Sequence, residues 1–447
     1  VKELLAHPKM NPNIQDHNGE TPLHYACEYG YTEIVKALLA HPNIDPNLKD
    51  KSESTPLHYA CKKHYTEIVK ALLAHPKIDP NIKVKALFPN FKYEKGQTLL
   101  HHVRDYIGSK ELYNIVKMML VHPKIDLNNQ DEHGRTPLHK ACLNGHTKIV
   151  KLFLDHANID VNIQDKDGNT PLHNACKHGR HTKIVKALLA RAEIDVNFQN
   201  KYGSTPLHDA CELNGRNTNI VKAFLEHPNI DVNIENERGE TPLYNACYHG
   251  HTEIVKALSA RPEIDPNLKD KWGSTPLHEA CENGYIGIVK ALLAHPNIDP
   301  NLKDKSGSTP LHNAFNNSHT EIVKALLTHP DIDLNIQDTD GWTGLHFVCY
   351  MNHIDFVNPF LLHPNIDPNL KNKSGNTPLD IACEKGNTEI ATMLEKLIKE
   401  KKQKENQLTE EFCLAMIQPD LPVSTMTKKR KAKELRRDEL RLGPVFN

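Results

Sequence analysis

Eleven times along this 447-residue chain, at a spacing close to 34 residues, a threonine opens some version of Thr-Pro-Leu-His-x-Ala-Cys. The Thr-Pro-Leu-His form begins at Thr21, Thr55, Thr136, Thr170, Thr205, Thr275 and Thr309. Altered copies begin at Thr98 (Thr-Leu-Leu-His), Thr241 (Thr-Pro-Leu-Tyr), Thr343 (Thr-Gly-Leu-His) and Thr377 (Thr-Pro-Leu-Asp). A fixed period of roughly 20–50 residues specifies a solenoid, in which each unit buries its apolar face only against its neighbours. Such a chain makes an extended surface rather than a pocket. It therefore reads as a binding protein and not an enzyme, with no cofactor.

Residues 47–80 show how one period is built. Asn47 to Ser54 is polar turn sequence, and sister copies put glycine (Gly273, Gly307, Gly375) where Glu53 stands, as a tight tip requires. Thr55-Pro56 is a helix start, because threonine caps free N–H groups and proline suits the first helical position. Leu57, Ala60 and Cys61 then form one narrow apolar face. A second helix follows from Thr66-Glu67, with Ile68, Val69, Leu72 and Leu73 at helical spacing, and Pro76 stops it.

Thr-Pro-Leu-His-x-Ala, then His-x-x-Ile-Val-x-x-Leu-Leu, then Asp-x-Asn resembles the ankyrin repeat consensus, over roughly residues 1–400. Most copies carry one extra residue in the Ala-His-Pro-x-Ile-Asp-Pro-Asn connection. The resemblance implies an all-α repeat solenoid of helix-turn-helix units with projecting β-hairpin or loop fingers. Residues 1–11 read as the end of a truncated preceding repeat, because Val1 to Pro8 aligns with Val35 to Pro42. The chain is thus expected to lack part of one more unit. Residues 12–400 are expected to form about eleven repeats with insertions near 83–110, and residues 401–447 a charged, partly disordered tail.

Charge is balanced, with 55 Lys+Arg against 56 Asp+Glu, which disfavours direct binding of nucleic acid by the stack. No apolar run approaches the ~20 residues of a membrane span. Nine of ten cysteines (27, 61, 142, 176, 211, 247, 281, 349, 383) share one repeat position. Stacked helices lie too far apart for equivalent cysteines to pair, at about 8–10 Å against the ~7 Å Cα limit of a disulfide. They read as small buried hydrophobes of a reducing compartment, which points to a cytoplasmic or nuclear protein.

His24-x-x-Cys27 and its copies carry metal-capable groups, but two ligands do not complete a tetrahedral site. The two positions also vary separately, as Tyr244 precedes Cys247 and His312 precedes Phe315. No metal site is assigned; the resemblance implies that this histidine ties the helix start to neighbouring loops. The histidines recur as part of the frame, so they are read as structural and not as a pH switch.

Specificity should lie where copies differ. The resemblance places partner-facing positions in the finger, after Thr-Pro-Leu-His, and after Ala-Cys. Those positions hold Tyr25, Tyr29, Tyr59, Lys62 and Lys63, then Tyr202, Asp209, Arg238 and Tyr248. Trp272 and Trp342, the only tryptophans, sit beside finger glycines. Tyr and Trp are enriched in binding hot spots. The copy from Trp342 is the most deviant, with Phe347, Tyr350 and Met351 at variable positions and Pro359 inside its second helix. It reads as a binding patch on a weak joint or as a decayed repeat. The partner-binding set is therefore Tyr25, Tyr59, Tyr202, Tyr248, Trp272, Trp342, Phe347 and Tyr350.

Two further segments stand out. The finger between Asn81 and Thr98 gains nine residues, including Phe88-Pro89-Asn90-Phe91-Lys92-Tyr93, and the next turn gains four near Arg104–Lys110. Near the end, Leu408–Ile417 reads as a short helix, and Lys428-Lys429-Arg430-Lys431 resembles a nuclear import signal. The expected function is a monomeric scaffold or adaptor that binds a partner protein through the concave ankyrin surface, with no small-molecule substrate. The alternatives are a nuclear regulator of transcription factors and the targeting part of a larger enzyme with a missing N-terminal domain.

Overall fold

The computed structural model describes residues 10–84, 96–106, 110–179, 181–212, 217–363 and 365–417. The aromatic insertion, the basic tail and nearly all of the segment read as a truncated repeat lie outside the described residues. The described secondary structure is paired helices joined by turns, with one isolated antiparallel bridge between Val84 and Gln97. The chain divides into two units, Val1–Asp299 and Pro300–Asn447.

In the first unit, each Thr-Pro start behaves as the spacing predicts. Thr136 is extended (φ −86°, ψ 166°), Pro137 takes the first helical position, and the helix Pro137–Leu143 follows. The Thr136 hydroxyl accepts from the His139 N–H, while the Thr136 N–H donates to His139 Nδ1 at 3.1 Å. That reciprocal cap is of a kind worth about 0.5–2 kcal/mol per helix. Leu138, Ala141 and Cys142 on this short helix are buried, as are Val150, Phe153 and Leu154 on the second helix Thr147–Leu154.

Helix pairs are joined to the next pair by two recurrent hydrogen-bond ladders. In the fingers a backbone amide donates across the period, as Lys166 to the His133 carbonyl and Glu237 to the Tyr202 carbonyl, at 2.8 and 2.9 Å. In the loops, the asparagine of Asp-x-Asn binds both sides: Asn47 Nδ2 donates to the Lys77 carbonyl and Asn47 Oδ1 accepts from the Asp79 N–H. Asn81 makes the same pair with Lys124 and Asp126. There the partner lies 45 residues on instead of 32, so the register of this ladder is kept across the longer copy.

The copy that starts at Thr98 departs from the others. Its first helix, Leu99–Tyr106, is a 3₁₀ segment broken at His102. Glu53, standing where sister copies have glycine, adopts φ 62°, a left-handed conformation costly for a residue with a Cβ.

The second unit carries helices Pro310–Asn316, Thr320–Leu327, Gly344–Tyr350, Ile354–Leu361, Pro378–Glu384 and Thr388–Ile417. Gly307 (φ +75°) shows why the finger tip demands glycine: a Cβ there would lie 2.8 Å from the Thr339 backbone nitrogen. Leu408–Ile417 is the end of one 30-residue helix from Thr388, since no proline or glycine interrupts that run. Ile390, Ala391 and Leu394 bury its first turns. Among described residues, no helix is long and apolar enough to cross a membrane.

Candidate functional site: an acidic and aromatic groove

In the copies from Thr136, Thr170 and Thr205 the repeat histidine is fully used by the frame. Nδ1 of His139 accepts from the Thr136 N–H, and its Nε2 lies 3.0 Å from the carbonyl of Asn169 in the next finger. Nε2 must carry the proton to donate there, so the ring is neutral. His173 and His208 repeat this geometry on Ser204 and Glu240. Burial holds the pKa of each of the three down at about 4, and the same burial pushes the thiols of Cys142, Cys211 and Cys281 up. Cys383 departs from its sister positions and is exposed.

Residues off the frame converge in the first unit. A cavity of about 750 Å³ opens over the helices Pro206–Glu212, Pro242–Tyr248 and Pro276–Glu282 and the fingers beside them. Tyr202, Tyr248 and Trp272 line it and remain 63%, 54% and 58% exposed. Its lining carries seven carboxylates, Asp167, Asp209, Glu212, Glu237, Glu240, Glu279 and Glu282, against two cations, Lys177 and Arg238. Arg238 already faces Glu240 at 3.9 Å.

Two of these carboxyls are buried. Asp209 follows His208 on its helix and is only 7% exposed, and its Oδ2 has no hydrogen-bond partner. Burial raises its pKa to about 7, with Lys177 opposing and Glu212 adding. Glu279 occupies the equivalent position two repeats on and is also raised to about 7, by burial first and by Glu282, Asp270 and Glu240, against a hydrogen bond from Tyr244. Tyr244 replaces the frame histidine. Its hydroxyl lies 2.8 Å from both Asp270 Oδ2 and Glu279 Oε1. A phenol has one proton to give, so it serves both carboxyls when one of them is itself protonated. Burial, which raises the pKa of Glu279, favours this carboxyl as the holder of the second proton.

The remaining candidates divide by environment. Tyr25, Tyr29 and Tyr31 are exposed and stack in sequence, with centroids 6.4 and 6.1 Å apart. Tyr59 is half-buried, and its hydroxyl reaches Glu20 Oε1 and Asp50 Oδ2 at 2.8 and 2.7 Å, an arrangement that ties a finger to its neighbour. In the second unit, Trp342 is half-buried against Phe347 and Tyr350, with centroids 5.0 and 5.4 Å away. Lys385 lies 4.3 Å above the Tyr350 ring. Glu279 and Tyr244 were absent from the expected site. Tyr244 is a departure from the frame and Glu279 sits at the variable position after it in the next copy, and the signal available was their spacing of one period.

A family model described as ankyrin repeats (3 copies) matches residues 1–84, 100–200, 181–270, 260–338 and 331–406. The chain belongs to the ankyrin repeat family. No curated protein matches it. Among solved structures it is similar to EF0377, an ankyrin repeat protein, at 34% identity over 43% of this chain and 96% of that one, with a TM-score of 0.40. Ankyrin repeats are in general protein–protein interaction modules, and this helical repeat fold is typical of binding proteins without catalytic activity. The groove lies on the fingers and first helices of the ankyrin units, where the copies differ most.

Proposed function

We propose that this ankyrin-repeat protein is a scaffold or adaptor that holds a partner protein on the face made by its fingers and first helices. The observation that carries this reading is the exposure of Tyr202, Tyr248 and Trp272 around one groove. None of the three is needed by the repeat frame, since most copies hold small or polar residues there: Asn18, Ser52, Asp167 and Ser306 at the position of Tyr202 and Trp272, and Glu28, Lys62, Lys177 and Glu212 at that of Tyr248. Large aromatic groups held on a rigid frame supply contact area at little ordering cost. The free, buried repeat thiols support a reducing, intracellular setting, and the run Lys428-Lys429-Arg430-Lys431 supports entry to the nucleus.

The test is capture of partners from cells by the full chain and by a Tyr248→Ala/Trp272→Ala variant. The variant should keep its fold and lose a defined set of partners. An unchanged set would remove this face from the account. Deletion of residues 428–437 should abolish nuclear accumulation, and unchanged localisation would remove the import reading.

A further inference from the structure

The groove between Asp209 and Trp272 has a charge that the chain as a whole lacks. Its lining carries 7 − 2 = 5 excess negative groups when all are ionised, while the whole chain stands at −1. Repeat architecture does not account for this. The positions of Asp209 and Glu279 hold Tyr25, Lys140, Asn174 and Asn313 in sister copies. Burying a carboxyl whose Oδ2 meets no donor is costly, and Asp209 is such a group. Oδ2 itself is covered, but its residue lines the open groove, so a donor that enters the groove and turns the carboxyl outward meets an acceptor that has no partner to lose. The walls are Tyr202, Tyr248 and Trp272, whose faces attract cations.

We infer that this groove takes up an extended, arginine-bearing segment of the partner protein, one guanidinium pairing with Asp209 while its plane stacks on the aromatic wall. Guanidinium fits better than ammonium because it offers several donors in one plane, pairs with carboxylates in a fork, and stacks flat on rings. Glu237 and Glu282 at the groove attract neighbouring basic residues of the segment and speed its capture, an effect that salt weakens. The inference rests on the interaction role proposed above and adds the chemistry of the partner.

The test is fluorescence anisotropy with the full chain and a labelled (Arg-Ser)₄ octapeptide, with (Lys-Ser)₄ and (Glu-Ser)₄ as comparators. The arginine peptide should bind, the lysine peptide at least about fivefold more weakly, and the glutamate peptide not at all. Asp209→Asn and Trp272→Ala should each weaken binding about tenfold, while Glu67→Gln, which removes an exposed charge on a second helix, should change it less than twofold. Asp209→Asn relieves a buried charge, so its melting temperature should not fall, and loss of binding cannot then be assigned to unfolding. Equal binding of arginine and lysine peptides, or equal loss in Glu67→Gln, would overturn the inference and leave only diffuse charge attraction. If the peptide does not bind but Tyr248→Ala/Trp272→Ala still loses its cellular partners, the basic-segment claim fails and the interaction face stands.

Discussion

Gly344 stands where nearly all sister copies have proline, and it packs against two rings: a Cβ at Gly344 would lie 2.9 Å from Phe360 Cζ and 3.3 Å from Phe315 Cε2. Phe315 stands in the usual cysteine position and packs on Phe356 and Phe360 with both ring centroids 5.7 Å away. Three departures from the repeat pattern, Gly344, Phe315 and Phe356, therefore meet in one aromatic core with Phe360. The deviant copy keeps a packed, buried core. Restoring the pattern with Gly344→Pro, or adding only a methyl with Gly344→Ala, should destabilise by about 1–3 kcal/mol through overpacking. Gly344→Ala combined with Phe360→Leu should recover much of that loss. Urea midpoints check both, and a neutral Gly344→Ala would contradict the packing.

The same copy keeps Pro359 inside the helix Ile354–Leu361, where it removes a backbone donor and crowds the preceding turn, at a cost of about 3 kcal/mol or more. Its amides should exchange with deuterium faster than those of Thr320–Leu327, and Pro359→Ala should slow them. Equal protection of the two helices would contradict this.

Acid should weaken the fold through the repeat histidines. His101, His139, His173 and His208 are held down at about 4 by burial, whereas unfolded histidine titrates near 6.5. The unfolded chain thus binds more protons between these values, and stability falls as pH drops through that window. Each fully engaged histidine contributes on the order of 1 kcal/mol per pH unit. Melting temperatures should be nearly flat from pH 8 to 7 apart from the groove carboxyls, and fall steeply from about 6.5 towards 4. A flat profile down to pH 4.5 would mean that these rings are not buried as neutral donors.

The groove carboxyls carry the opposite sign. Asp209 and Glu279 are raised to about 7, so their contribution is full below the usual carboxylate range and lost as pH rises through 7. Asp209→Asn should therefore raise the melting temperature relative to the parent at pH 8, by about 2–4 °C for each kcal/mol relieved, and leave it little changed at pH 4.5. A fall at pH 8 would show that the ionised carboxylate is paired in the folded chain.

The frame was legible because it is periodic. Thr136, Pro137, His139 and Cys142 do the same work in copy after copy, so one reading serves the other copies. The exposure of Tyr248 and Trp272 was also legible, since most sister copies hold a polar residue there. Contacts that exist once were not. Tyr59 and Tyr244 look like variable surface or drifted frame in sequence, yet each bridges two carboxyls contributed by different segments. Nothing local states that Glu279 will face Tyr244, or that Phe315 and Phe360 will both close on Gly344. Periodicity specifies the scaffold and says little about which departures meet.

The most direct test of the interaction face is site-specific photo-crosslinking in cells, with p-benzoylphenylalanine at position 248 on a first helix or at position 256 on a second helix. Both Tyr248 and Lys256 are exposed, so the two probes differ in face and not in access. A discrete partner adduct from position 248, absent from 256 and lost in Asp209→Asn, is the predicted result. Adducts from 256 alone, or the same adducts from both, would contradict the account.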